Sequence, residues 1–188
     1  QAGRRYAVIC HGYGCCGQQM LHRAKPFYDM GFNVLLPDAR AHGGSDGSTI
    51  GMGWPERRDI VEWVYEILRR DDQAQIVLFG ESMGAATVMM AAGEVLPAQV
   101  KLVVEDSGYT SAWEQFKVSM PLLYHTPPYP VLPVASLLAR LRTGYGFRRM
   151  SALEQVRQCR IPILFIHGEG DDLVPVSYTH LRAHETSQ

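Results

Sequence analysis

Gln75-Ile76-Val77-Leu78-Phe79-Gly80-Glu81-Ser82-Met83-Gly84-Ala85-Ala86 is the stretch on which the fold turns. Gln75 to Phe79 is an apolar run of strand length. From Met83 the apolar residues continue to about Val95, a helix that Pro97 would stop. Between the two lies Gly80-Glu81-Ser82-Met83-Gly84, a G-x-S-x-G elbow in the strand, tight turn, helix context that it needs. Crowding explains its glycines: at such a turn a Cβ on either flanking position would strike the neighbouring strand or helix. Ser82 is then held out at the carboxyl edge of a sheet, as a nucleophile would be. The first backbone N–H of the following helix, on Met83, can stabilise a developing oxyanion there with help from the helix dipole.

Outward from the elbow, further runs of strand length occur at Tyr6 to Cys10, Asn33 to Leu36, Lys101 to Glu105 and Ile163 to Ile166. They are rich in Val, Ile and Leu and apolar on both faces, as strands of a parallel sheet covered by helices on both sides must be. Stretches of helical period separate them. The clearest is Glu56 to Arg70, where Ile60, Trp63, Val64, Ile67 and Leu68 recur at i, i+3, i+4, i+7 and i+8. Asp59 near its start and Arg69 and Arg70 at its end suit the helix dipole. The expected fold class is therefore α/β, a doubly wound and mostly parallel sheet. Residues 109–150 carry Pro121, Pro127, Pro128, Pro130 and Pro133 among aromatics and leucines, and read as a small helical cap inserted between two strands.

Two more segments bear on chemistry. His11-Gly12-Tyr13-Gly14 follows the first strand, and such a loop can aim a second backbone N–H, that of Tyr13, at the point Met83 N–H serves. His11 itself is expected to brace the loop by hydrogen bonding rather than to act as a base. Late in the chain, Ile161 to Ile166 leads into His167-Gly168-Glu169-Gly170-Asp171-Asp172. An acid just past a late strand is where a Ser, Asp, His order places the carboxylate that orients the imidazole. Asp171 is assigned that role, with Asp172 as the alternative and Asp106, at the end of the preceding strand, as a rival.

The chain has 188 residues, 46% hydrophobic and 20% charged, enough for one globular domain over residues 1–176. Its 18 Lys and Arg nearly balance 19 Asp and Glu, which argues against a nucleic acid partner. Cys10, Cys15, Cys16 and Cys159 lack metal-ligand spacing, so no metal is expected, and neighbouring cysteines such as Cys15 and Cys16 rarely bridge to each other. The sequence enters a strand-like run within six residues of Gln1, and its apolar pattern breaks off after Val176. Residues 177–188 are expected to be non-native, since Val176 to Thr186 reads like a translated sequencing adapter, and the domain is expected to be truncated at both ends. A cytoplasmic location is the default expectation, with membrane association and oligomeric state left open.

Taken together, these segments resemble the α/β-hydrolase superfamily, in particular its bacterial serine aminopeptidase S33 and lysophospholipase-like serine hydrolases. The likeness rests on His11 to Gly14, Asp38 to Ser45, Gly51-Met52-Gly53-Trp54 with Glu56, Arg57 and Asp59, Gly80 to Gly84, Glu105 to Ser111, and His167 to Pro175. The resemblance implies Ser82 as nucleophile, Asp171 as the acid, and Tyr13 and Met83 amides as the oxyanion hole. It implies no cofactor and a small-molecule acyl substrate such as a carboxylic ester. Trp113, Phe116, Leu122, Leu123, Tyr124 and Tyr129 in the cap favour an acyl or aromatic group. The departure is the histidine, which in such enzymes lies beyond a further strand after the acid. His180 and His184 lie too close to Asp171, and His42 and His125 have the wrong order, so this chain is expected to be inactive alone. The alternatives are a non-catalytic binding module on the same fold, or an acyltransferase or haloperoxidase using the same site.

Overall fold

A computed structural model describes residues 4–171 and 173–174. The chain runs β1 (Arg5–Cys10), α1 (Leu21–Asp29), β2 (Asn33–Leu35), α2 (Glu56–Arg70), β3 (Gln75–Glu81), α3 (Met83–Ala92) and β4 (Val100–Asp106). It continues through α4 (Ala112–Tyr124), α5 (Pro128–Thr143), α6 (Ala152–Val156) and β5 (Ile163–Ile166). The described strands form one sheet in the order β2-β1-β3-β4-β5, every neighbouring pair parallel.

Period-2 alternation sends successive side chains to opposite faces, and each face has its own core. Val8, Ile76, Leu78 and Val103 point to one side, where Ile60, Val64 and Ile67 of α2 and Val88, Ala91 and Ala92 of α3 cover them. Ala7, Ile9, Phe79 and Val104 point to the other, against Ala24 and Phe27 of α1. That two-sided cover is what the apolar strand runs required. β5 is the exception, with Leu164 and Ile166 exposed.

Helix α2 has the bounds its periodicity gave. Helix α3, expected to reach about Val95, ends at Ala92. There the last turn tightens, Glu94 N–H bonding to Ala91 O at 3.0 Å, and Gly93 lies against α6, where a Cβ would come 2.5 Å from Gln155 O. All ten α3 residues are buried, which the small side chains of Gly84, Ala85, Ala86, Ala91 and Ala92 permit. Between β4 and β5 the chain makes an excursion through α4 and α5. Its two ends are joined by an antiparallel bridge between Ser111 and Ser151. Those serines also cap α4 and α6, accepting from Glu114 N–H and Glu154 N–H at 3.2 Å each.

Candidate active site

From β1 the chain crosses to β2 on one side and then returns to β3 on the other. The carboxyl ends of β1 and β3 therefore flank the point where the winding reverses, where open α/β sheets place their ligands. His11 leaves β1 there and Ser82 leaves β3.

Ser82 has φ 56° and ψ −115°, a left-handed conformation that costs a non-glycine residue about 1–3 kcal/mol and persists only where its surroundings impose it. They do so here. Its N–H donates to Asp106 O at 2.9 Å and its carbonyl accepts from Ala86 N–H at 3.1 Å. A Cβ on Gly80 would lie 2.2 Å from Gly84 O, and one on Gly84 would lie 2.2 Å from Cys10 O, so only glycines let strand, turn and helix close this tightly. Ser82 is half-buried, and no described residue hydrogen-bonds its Oγ. Met83 N–H, at the first position of α3, has no intrahelical partner by construction of the helix. A Cβ on Gly12 would lie 3.4 Å from Ser82 Cβ, so the loop after β1 rests directly on the serine. Tyr13, next in that loop, is 59% exposed, and no described residue accepts from its backbone N–H.

Two imidazoles hold that loop. His11 is buried, accepts from Ala39 N–H through Nε2 at 3.0 Å and meets Gly12 O through Nδ1 at 2.8 Å. The Ala39 bond makes Nε2 the unprotonated nitrogen, so Nδ1–H is the donor to Gly12 O. His42 accepts from Gly14 N–H through Nε2 at 3.1 Å and packs edge-on to His11 at 5.0 Å. Asp38 completes the tie, Oδ1 accepting from Gly17 N–H at 2.6 Å and Oδ2 from Gly44 N–H at 2.8 Å. Those two amides hold its carboxyl below the usual carboxylate range. The loops after β1 and β2 are thus one hydrogen-bonded unit, in which His11 is the brace its sequence context suggested.

Burial pushes the His11 pKa below its ordinary 6.5, because a proton on Nε2 would be poorly solvated and would face the Ala39 N–H. The unfolded chain then takes up this proton first as pH falls. Stability contributed by neutral His11 is complete above about 6.5 and lost on descending from there through the lower folded value. Urea unfolding across this range should show that slope, and His11→Gln should flatten it.

The acids are placed differently. Asp171 follows β5 on the same carboxyl edge, two strands from β3. Its Oδ1 accepts from Leu173 N–H at 3.0 Å and Val174 N–H at 2.9 Å, and its Oδ2 lies 3.6 Å from His167 Nε2. Asp106 is nearly buried and bound to Arg23 at 2.9 Å, while Arg23 Nε also donates to Glu81 at 2.6 Å. Arg23 so ties the end of β3, within the elbow, to the end of β4, and Asp106 is taken up in that ion pair. Asp172 and the tail with His180 and His184 lie outside the described residues. Burial pushes the Cys10 thiol up to about 12, and all four cysteines are free. Among the described residues no group of three His, Cys, Asp or Glu could hold a metal ion.

A family model described as serine aminopeptidase, S33 matches residues 1–141. The chain belongs to this family. Among curated relatives, the uncharacterized protein YqkD of Bacillus subtilis (strain 168) is 34% identical over 173 residues, covering 92% of this chain and 57% of YqkD. The uncharacterized protein Rv2307c of Mycobacterium tuberculosis is 30% identical over 172 residues, covering 90% of this chain and 53% of that protein. The chain thus spans little more than half the length of these curated relatives. Among solved structures, the Pyrococcus furiosus esterase Pf2001 superposes with a TM-score of 0.77 at 22% identity, over 98% of this chain and 69% of that one. The Pyrococcus horikoshii acylaminoacyl peptidase superposes with a TM-score of 0.67 at 19% identity, over 99% of this chain and 31% of that one. These likenesses establish the α/β-hydrolase fold. No helix among the described residues is long and apolar enough to cross a membrane.

Proposed function

We propose that this S33-family chain is the nucleophile-bearing part of a serine hydrolase of carboxylic esters or related acyl compounds. One observation carries the reading: Ser82 is held in a left-handed conformation at the switch point, its hydroxyl unbonded to any described residue. Ser82 Oγ attacks the acyl carbonyl carbon, and an imidazole takes its proton. The oxyanion accepts from Met83 N–H and Tyr13 N–H, and the imidazole returns the proton to the leaving group. Water, deprotonated by the same imidazole, then cleaves the acyl-serine and releases the acid. Asp171 orients the imidazole through Oδ2, its Oδ1 being fixed by the Leu173 and Val174 amides.

We assign that imidazole to the part of the full-length protein outside these 188 residues: His11 and His42 are committed to the loop brace, His167 Nε2 bonds Val174 O at 2.6 Å, His22 Nδ1 meets Gln19 O at 2.9 Å, His125 is the C-cap of α4, and His180 and His184 follow Asp171 too closely in sequence. The 188-residue chain alone should therefore show only the residual ~10³–10⁴-fold catalysis over water that an oxyanion hole and binding supply. A groove of about 450 Å³ beside Tyr13 mixes Ile50, Phe147 and Met150 with Thr49, Arg142 and Thr143 in its walls and has room for an acyl group. The test is p-nitrophenyl ester hydrolysis by the full-length protein. Turnover of neutral acyl esters well above that by the 188-residue chain is expected, and no turnover of any acyl ester would refute the assignment.

A further inference from the structure

Helix α5 is inside out. Val134, Leu137, Leu138 and Leu141 recur at i, i+3, i+4 and i+7, a spacing that on a surface helix normally faces the core. Here all four face solvent, with exposures from 54% to 76%, and Leu132 is the buried residue of the helix. Leu122, Leu123 and Tyr124 at the end of α4 and Tyr129 at the start of α5 are exposed as well.

Charge on the same segment is one-sided. Residues 109–150 hold Lys117, Arg140, Arg142, Arg148 and Arg149 against the single acid Glu114, within a chain of formal net charge −1. Glu114 is paired to Lys117 at 3.5 Å. No described carboxylate pairs with any of the four arginines. Arg140, Arg148 and Arg149 line one groove of about 630 Å³, with Trp113, Tyr129 and Leu137 in its walls. The Arg148 guanidinium lies over the Trp113 ring at 3.9 Å from its centroid, which fixes one side of the groove.

We propose that the α4–α5 segment docks the protein onto an anionic phospholipid surface, its leucines entering the interfacial layer and its arginines meeting headgroup phosphates. An apolar face rimmed by arginines and tyrosines is the arrangement that lies stably in a bilayer interface. Charge decides against a second copy as the occupant: two such faces brought together would juxtapose eight arginines, none paired with a described carboxylate on its own copy. A free phosphate would satisfy the groove but leave the leucines in water.

Flotation with vesicles tests this. The protein should bind vesicles mixing phosphatidylcholine with phosphatidylglycerol, not phosphatidylcholine alone, and about 1 M salt, where the Debye length falls to ~3 Å, should release it. Leu138→Glu/Leu141→Glu and Arg140→Glu/Arg142→Glu should each weaken binding at least about tenfold with circular dichroism unchanged. Leu141→Gln, at the most exposed position, serves should the double variants misfold. The proposal is overturned by equal binding to neutral vesicles, by no binding to either, or by binding that survives the folded variants. Displacement by millimolar inorganic phosphate, or a dimer that the leucine variants dissociate and that does not float, overturns it too.

Discussion

Gly84→Ala should lower the unfolding free energy by about 3 kcal/mol, a large share of what a domain of this size possesses. The added Cβ would lie 2.2 Å from Cys10 O, 2.6 Å from Cys10 C and 2.8 Å from His11 O. Those are backbone atoms of the last residue of β1, an interior strand of the sheet, and of the first residue of the loop after it, and no rotamer change removes them. Either α3 lifts off the strand, exposing part of a helix whose ten residues are all buried, or β1 shifts in its register with β3. Gly168→Ala is the matched control. A Cβ there meets nothing within 4 Å, and the change should stay within about 0.5 kcal/mol. Chemical denaturation of the two variants, compared through midpoint and slope, separates a packing effect at the elbow from a general intolerance of added methyl groups.

Ser82→Ala in the full-length protein should cost ~10⁶-fold in kcat if the serine is the nucleophile, because the remaining machinery has nothing to acylate. The backbone supplies a second expectation at the same position. Ser82 is held at φ 56°, which alanine tolerates no better than serine, whereas glycine adopts it freely. Ser82→Gly should be as inactive as Ser82→Ala, yet more stable than it by about 1 kcal/mol. Strain retained at a position where glycine would relieve it fits a residue kept for its side chain. Paired kcat and thermal-melting measurements on both variants check the two effects together. Equal melting temperatures would show the turn to be unstrained, and surviving activity would remove Ser82 from the chemistry.

The sequence told most where the physics is local. Strand–turn–helix around Ser82 was legible because crowding at a tight turn dictates glycine at two fixed offsets, and both prove to have backbone within 2.2 Å of a would-be Cβ. Helix Glu56–Arg70 could be bounded from apolar spacing alone, since it buries one continuous stripe, and strand Ile163–Ile166 from its apolar run, although Leu164 and Ile166 face water. What stayed hidden depends on partners far apart in the chain. Arg23 reaches Glu81 across 58 residues, and His11, His42 and Asp38 join loop residues 21 to 28 apart. No spacing rule announces such ties. The end of α3 was misjudged because Pro97 offered a visible stop, while the earlier end at Ala92 comes from contact with α6. Composition likewise could not say which apolar side chains of 109–150 point inward: Trp113 is buried and Phe116 stacks on Phe147 at 4.7 Å, whereas Leu122, Leu123, Tyr124 and Tyr129 face water.

Fluorophosphonate labelling followed by peptide mapping asks the central question directly, since the probe reacts only with a serine whose oxygen is exposed and activated. The account predicts one adduct per full-length molecule, on the peptide containing Ser82, absent from Ser82→Ala and weak in the 188-residue chain. Modification at another residue with Ser82 untouched would contradict it, as would strong labelling of the 188-residue chain, which would mean that one of its own histidines activates the serine.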